Sequence, residues 1–236
     1  MKVLVTGGNG YIGSQLVKNL RLKNHVVTVY DIKANALDNI LDSDHVESYI
    51  KNADVCFHLA SLCIVPDSLL RPLEYWINIL EGTRNVVNAC RKNDVRLIFT
   101  STQLAGDTFR CQCCGKLQSP YADAKREAEK LVSELSNSLL VRLPNIYDLE
   151  GKDPNEGRLF PRFGKMAREH GVVRIFPPED TPVTLITLED CAKTLMEYIE
   201  EPKGMTLMKG ENLTIRQVAD RIAAHYGATV EVRPKD

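Results

Sequence analysis

The sequence predicts an α/β fold: a doubly wound parallel sheet followed, after about residue 143, by a smaller part. Three observations predict it. Short, near-continuous apolar runs alternate with longer stretches of helical period. The first run ends in a glycine-rich turn, and the second ends in an acid. Near-continuous apolar strands suit a sheet covered by helices on both faces, and the alternation builds strand–helix–strand crossovers.

Each element follows in order. Val3, Leu4 and Val5 form the first strand and lead into Thr6-Gly7-Gly8. A helical pattern covers Tyr11–Leu22, and a second strand, Val26–Tyr30, ends at Asp31. Val55-Cys56-Phe57-His58-Leu59 reads as a buried strand. A long helical period runs over 69–91, with Pro72 near its first turn, where a missing N–H costs little. Residues 95–100 form the next strand, 121–135 a charged amphipathic helix, and 139–143 the strand after it. Beyond Pro144 proline, glycine and charge rise, and helices are expected over Leu159–His170, 188–199 and Ile215–Tyr226. The expected division is therefore 1–143 and 144–236, with about 183–200 packing back on the first part.

Bulk properties exclude several classes. The chain has 236 residues, 44% hydrophobic and 26% charged, with a formal net charge of -1. That balance belongs to an ordinary globule and argues for no nucleic-acid or membrane-surface partner. No apolar run approaches the roughly 20 residues of a membrane span. Lys2 runs straight into a strand without the layout of a secretory leader, so the expected location is the cytoplasm. Seven cysteines, an odd number, suit reduced thiols better than a disulfide framework. Cys111, Cys113 and Cys114 lie just before Tyr121. A structural zinc site wants four ligands, usually two spaced pairs, and no second pair is visible, so no metal is expected.

The glycines at 7, 10 and 13 follow a strand and open a helix, which is the context a phosphate-binding turn requires. Glycine lets backbone approach a pyrophosphate without a Cβ in the way. The helix behind it turns free N–H groups and its positive end toward the anion. Asp31 lies eighteen residues past Gly13. A carboxylate there accepts hydrogen bonds from a ribose diol and repels a 2′-phosphate, which favours NAD over NADP.

Tyr121 and Lys125 stand at i and i+4, on one helix face. A cation beside a phenol favours the phenolate and lowers its pKa. A phenol tuned toward neutrality can take a proton from a hydroxyl and return it. Ser101 and Thr102 follow a strand whose carboxyl end borders the ligand crevice of such a sheet. Either hydroxyl can hydrogen-bond the oxygen that Tyr121 addresses.

Together these stretches resemble the extended short-chain dehydrogenase/reductase superfamily, in its NAD-dependent epimerase/dehydratase branch, with a Rossmann-type cofactor domain. The resemblance rests on Thr6 to Gly13, on Asp54-Val55-Cys56-Phe57-His58-Leu59-Ala60-Ser61 and on Asn78-Ile79-Leu80-Glu81-Gly82-Thr83. It continues through Thr100-Ser101-Thr102, Ser119-Pro120-Tyr121-Ala122-Asp123-Ala124-Lys125, Arg142-Leu143-Pro144-Asn145-Ile146-Tyr147 and Leu188-Glu189-Asp190-Cys191-Ala192. It implies that Tyr121, Lys125 and Ser101 are catalytic. Gly7, Gly10, Tyr11, Ile12, Gly13, Asp31, Asn39, Ile40, Leu59, Ala60, Ser61, Asn78 and Pro144 would border NAD, together with Tyr121 and Lys125. Thr102, Gln103, Asn145, Arg158 and Arg162 would face substrate, and the helices of 69–91 and 121–135 would form a homodimer.

Departures from the family pattern narrow the activity. Members that eliminate water carry an Asp-Glu pair after the Ser/Thr, and Thr102 and Gln103 stand there, so a 4,6-dehydratase is not expected. Val183 replaces an Arg that sugar-nucleotide epimerases often offer to the diphosphate, and Arg158, Arg162, Lys165 and Arg174 are the nearby alternatives. Residues 33–44 are too few for the usual helix and third strand, and the substrate part is expected to be trimmed. Three readings stay open: a sugar-nucleotide epimerase that keeps NAD bound, an NAD(H)-dependent oxidoreductase on a sugar or other small molecule, and a cofactor-binding regulator without catalysis.

Overall fold

A computed structural model describes residues 1–106, 119–149, 153 and 155–234. Its strands are β1 (Lys2–Thr6), β2 (Val26–Tyr30), β3 (Val55–His58), β4 (Arg96–Thr102), β5 (Ser138–Leu143), β6 (Asn145–Tyr147), β7 (Val172–Ile175), β8 (Pro182–Thr187), β9 (Gly204–Leu207), β10 (Glu211–Thr214) and β11 (Thr229–Val232). Its α-helices are α1 (Tyr11–Leu22), α2 (Ser43–Ile50), α3 (Val65–Leu70), α4 (Pro72–Trp76), α5 (Gly82–Asn93), α6 (Pro120–Ser133), α7 (Leu159–His170), α8 (Leu188–Glu197) and α9 (Ile215–Tyr226). They fall into two compact units, Met1–Leu143 with Glu189–Met208, and Pro144–Leu188 with Lys209–Asp236.

The first unit carries a six-stranded sheet in the order β2-β1-β3-β4-β5-β9, parallel throughout. Strand order reverses between β1 and β3, and the carboxyl ends on either side of such a switch form the ligand crevice. Leu4, Cys56, Leu97 and Phe99 from the strands meet Val86, Val87 and Cys90 of α5 and Ala124, Ala128 and Val132 of α6 in one core. The small residues of α6 let it lie close to the sheet, and its functional side chains inherit that rigidity.

Two departures from a regular strand–helix alternation have local causes. The helical period over 69–91 is not one helix. A helix begins at Val65, breaks at Arg71 (φ -127°, ψ 54°), restarts at Pro72 and passes through a π-helical turn, Ile77–Glu81, before α5. Proline lacks the N–H that would continue α3 and pushes the residue before it out of the helical region. The second difference is an omission the sequence forecast. Between β2 and α2 the chain makes only turns, so among the described residues β2 pairs with β1 alone and forms the sheet edge.

The second unit holds a three-stranded sheet, β10-β8-β6, and a parallel pair, β11-β7. Phe160 and Phe163 of α7 and Val218 and Ile222 of α9 share a core with Val173, Ile175, Val183 and Leu185. Helix α9 starts with a reciprocal capping box between Thr214 and Gln217 and stops at Gly227, whose φ of +67° favours glycine. Among the described residues, no helix is long and apolar enough to cross a membrane.

Candidate active site

The glycine turn is built as a cradle. Gly7 adopts φ +71°, and a Cβ there would sit 2.7 Å from the Ala60 nitrogen. A Cβ on Gly13 would lie 2.2 Å from the Gly7 oxygen, so α1 can close on the turn only with glycine there. Gly10 precedes the first turn of α1, where no side chain caps the free N–H groups. Those donors, with the dipole behind them, fit a phosphate. Tyr11 and Ile12 open the helix, half-buried.

Asp31 is buried at the end of β2. Its Oδ2 accepts the Asn9 N–H at 2.8 Å and its Oδ1 the Lys33 N–H at 2.9 Å, which ties the acid to the glycine turn. Asp38 went unnoticed in the sequence. It is buried beside Asp31, accepting the Asp31 N–H at 3.3 Å and the Asn35 amide at 3.1 Å. A second carboxylate makes this corner more hostile to a 2′-phosphate. Asn39 spends its side-chain oxygen on the Leu41 N–H and its carbonyl on Tyr30 Oη. Ile40 is a core residue against Gly82, where a Cβ would sit 2.5 Å from its Cδ1.

The loop after β3 is pinned at both ends. Leu59 and Ala60 donate their N–H groups to the Thr6 carbonyl and to Thr6 Oγ1. Ser61 turns its hydroxyl onto the Leu62 carbonyl. Asn78, in the π-helical turn, accepts the Leu62 N–H at 2.9 Å, so its oxygen shapes the loop. His58 is wholly buried between Thr6 Oγ1 and Thr83 Oγ1. Burial, with the charge of Lys125 second, holds its pKa down at about 3, so it is a neutral structural histidine.

The chemistry gathers on α6. Ser119 caps the helix by accepting the Ala122 N–H at 3.1 Å, and Pro120 starts the first turn. Tyr121 is 9% exposed, and its ring packs edge-on against Tyr75, 6.5 Å between centroids. Lys125 is buried one turn on. Its ammonium donates to the Thr100 carbonyl at 2.9 Å and lies 4.7 Å from the centre of the Phe99 ring. Burial pushes its pKa down to about 8, against the upward pull of Cys63 and Glu129.

The Ser101 hydroxyl has a partner on α6. It donates to Glu129 Oε1 at 2.5 Å, and Glu129 also holds Arg142 in a two-pronged pair at 2.9 and 2.7 Å. The alternation of β4 is the reason: successive side chains leave opposite faces, and Ser101 falls on the face that α6 covers near Glu129. Thr102, at the strand end, accepts the Leu104 N–H with Oγ1 at 3.2 Å, a bond that leaves its hydroxyl hydrogen unused. Gln103 is buried in the short 3₁₀ turn that follows. Glu129 was missed in the sequence, although a signal was present. It stands four residues past Lys125 on a helix face that is otherwise apolar or functional.

In the second unit Pro144 is buried, and Asn145 donates to the Thr184 carbonyl at 3.4 Å. Val183 lies in that unit's core. Arg158 pairs with Asp153 at 3.0 Å, Lys165 with Glu156 at 2.6 Å and Arg174 with Glu231 at 3.2 Å. Arg162 is exposed on α7. Cys111, Cys113 and Cys114 lie outside the described residues. Among those described, Cys56, Cys90 and Cys191 are buried thiols outside any disulfide, and no three His, Cys, Asp or Glu side chains gather into a metal site.

Comparison with known proteins bears on the family and the fold. The chain is 26% identical to a probable UDP-arabinose 4-epimerase of Arabidopsis thaliana, over 99% of this chain and 62% of that protein. It is 31% identical to D-erythronate dehydrogenase of Haemophilus influenzae, over 66% of this chain and 58% of the relative. It thus spans less than two thirds of the length of these relatives. The solved UDP-glucose 4-epimerase of Thermus thermophilus, a complex with NAD, superposes with a TM-score of 0.82 at 25% identity, covering 99% of this chain and 86% of the other. The profile of the NAD dependent epimerase/dehydratase family matches residues 3–208, from the first strand to the end of the six-stranded sheet. With that match added to the glycine cradle and the tyrosine–lysine helix, the chain belongs to the NAD-dependent epimerase/dehydratase family.

Proposed function

We propose that this chain acts as a sugar-nucleotide 4-epimerase that keeps NAD bound through turnover. The observation that carries the reading is the Tyr121–Lys125 pair: a buried phenol and a buried ammonium, one helical turn apart, beside the strand end that carries Thr102. The glycine cradle, the uncapped start of α1 and Asp31 fit a dinucleotide and would hold its pyrophosphate and ribose. NAD, when bound, would accept hydride from the substrate carbinol and give it back to the other face of the ketone. Tyr121 would take the hydroxyl proton at Oη and return it. Lys125 would favour the phenolate form of Tyr121. We assign the substrate-orienting hydroxyl to Thr102 and give Ser101 a structural part. The positions after Thr102 are then Gln103 and Leu104, neither of them an acid, so elimination of water lacks the groups it needs.

The test is direct. Protein purified without added cofactor is denatured and its supernatant assayed for NAD; then UDP-sugars are offered and products are separated by configuration at C4. The expected result is released NAD, an inverted product and no net change in reduced-nicotinamide absorbance. Tyr121→Phe should lower kcat by at least about 100-fold while NAD remains bound. Lack of NAD together with lack of an inverted product would remove the proposal.

A second reading is favoured by one observation. Most positions expected to face a diphosphate are engaged elsewhere, Val183 in a core and Arg158, Lys165 and Arg174 in ion pairs, which leaves the exposed Arg162. This suits a smaller substrate without a nucleotide and net transfer of hydride, as the name of the D-erythronate dehydrogenase relative suggests. Accumulation of reduced nicotinamide with a hydroxy acid, and not with UDP-sugars, would select it. A homodimer belongs to either reading.

A further inference from the structure

Tyr121, Lys125 and Glu129 stand at i, i+4 and i+8, one column on a single face of α6, and all three are buried. Glu129 reaches two strands from that column. It accepts the Ser101 hydroxyl at the end of β4, and it accepts two N–H groups of Arg142 on β5 at 2.9 and 2.7 Å. The peptide before Ser101 carries the carbonyl of Thr100, which receives the Lys125 ammonium. The next residue after Ser101 is Thr102. One carboxylate therefore fixes the segment that meets Lys125 and offers the substrate-side hydroxyl.

We propose that Glu129 is a positioning residue of this active site, holding the β4 end in register with α6 and keeping Lys125 in its charged form so that Lys125 can act on Tyr121. The inference rests on the reading of Tyr121 and Lys125 given above and extends it by one residue. Its physical basis is local charge. A buried ammonium loses its hydration, and it stays protonated at neutral pH only with negative or dipolar partners near it. Among the described residues, the groups facing Lys125 are few. The Thr100 carbonyl and the Phe99 ring come from β4, and neutral His58 comes from β3. Cys63 comes from the loop after β3, and Tyr121 and Glu129 from its own helix. Arg142 on β5 balances part of the Glu129 charge. Glu129 lies two turns from Tyr121, about 12 Å along the helix axis, so its effect on the phenol passes through Lys125.

The test reads ionisation of Tyr121 in the full chain with NAD added. Phenolate absorbance is titrated in the wild type and in Tyr121→Phe, and the difference isolates Tyr121. Glu129→Gln should raise the Tyr121 transition by about one pH unit, because Lys125, the cation one turn from the phenol, then carries less positive charge. Glu129→Asp should recover part of the shift, and Ser101→Ala, which removes a hydroxyl and no charge, should leave the transition in place. The double variant E129Q/R142Q keeps hydrogen bonds without charge and should show the same upward shift where the single variant folds poorly. Identical transitions in wild type, Glu129→Gln and the double variant, with NAD affinity by calorimetry unchanged, would overturn the role of Glu129. Wild-type protein that binds no NAD, or shows no Tyr121 transition, would instead overturn the reading beneath it and this inference with it.

Discussion

Lys125 illustrates how one residue couples chemistry to stability. Burial lowers its pKa from 10.5 to about 8. Between those values the unfolded chain holds a proton that the folded Lys125 has lost, so folding becomes more favourable as pH rises through that window. A shift of this size corresponds to about 3 kcal/mol. Lys125→Met should flatten the rise in stability between pH 8 and 10.5, measured as guanidinium midpoints at both ends. A rise that persists in the variant would place its source elsewhere. Other residues were less readable. Tyr121 and Lys125 stand out by their spacing, whereas the partners of Ser101 and Thr102 depend on which face of β4 each leaves. A run of three hydroxyl residues does not reveal that face. Asp38 sits in a turn with no periodicity, and only coordinates bring it beside Asp31.

Among the elements, α6 is the one whose placement decides function, and its start is set by Ser119. The cap bond to the Ala122 N–H lies one residue from Tyr121, the acid/base of the proposed reaction. Ser119→Ala should cost about 1 kcal/mol in urea unfolding. It should also weaken turnover more than a distant cap would, because Tyr121 sits in the first turn. Thr214→Ala, at the capping box of α9, is the control: a similar loss of stability with a smaller effect on the chemistry. The alternation of strand and helix was legible because burial on both faces forces apolar runs. The break at Arg71 was half legible: Pro72 was seen, but an apolar period carried across it hides the restart and the π-helical turn. Strand β6, three residues long, lacks the length for a period to declare itself.

Over the whole molecule, the family fold was legible because its motifs come in order along the first unit and its returning segment. The second unit was harder, since its short strands pair across long gaps in sequence, as β8 does with β6 and β10. One surface bears on assembly. Leu69, Leu70, Leu73, Trp76 and Ile77 are exposed along α3, α4 and the turn after them, Leu70 by 82%. Exposed apolar side chains gathered on one stretch mark a contact surface, and a second copy of the chain is the occupant the homodimer reading requires. Sedimentation should give twice the mass of one chain, and Leu70→Glu with Leu73→Glu should return it to one; a single-chain mass for the wild type would remove the dimer.

The unfinished border at β2 has its own outcome. Val26 is 65% exposed there, and no further strand among the described residues shelters the ladder. Amide hydrogens on a sheet's outer rim trade with solvent through small local openings, well before the interior yields. This rim, which Asp31 and its turn border, should therefore open before the interior strands β1, β3 and β4 do. Deuterium uptake should be fast across residues 26–38 and should slow sharply when a dinucleotide settles against them.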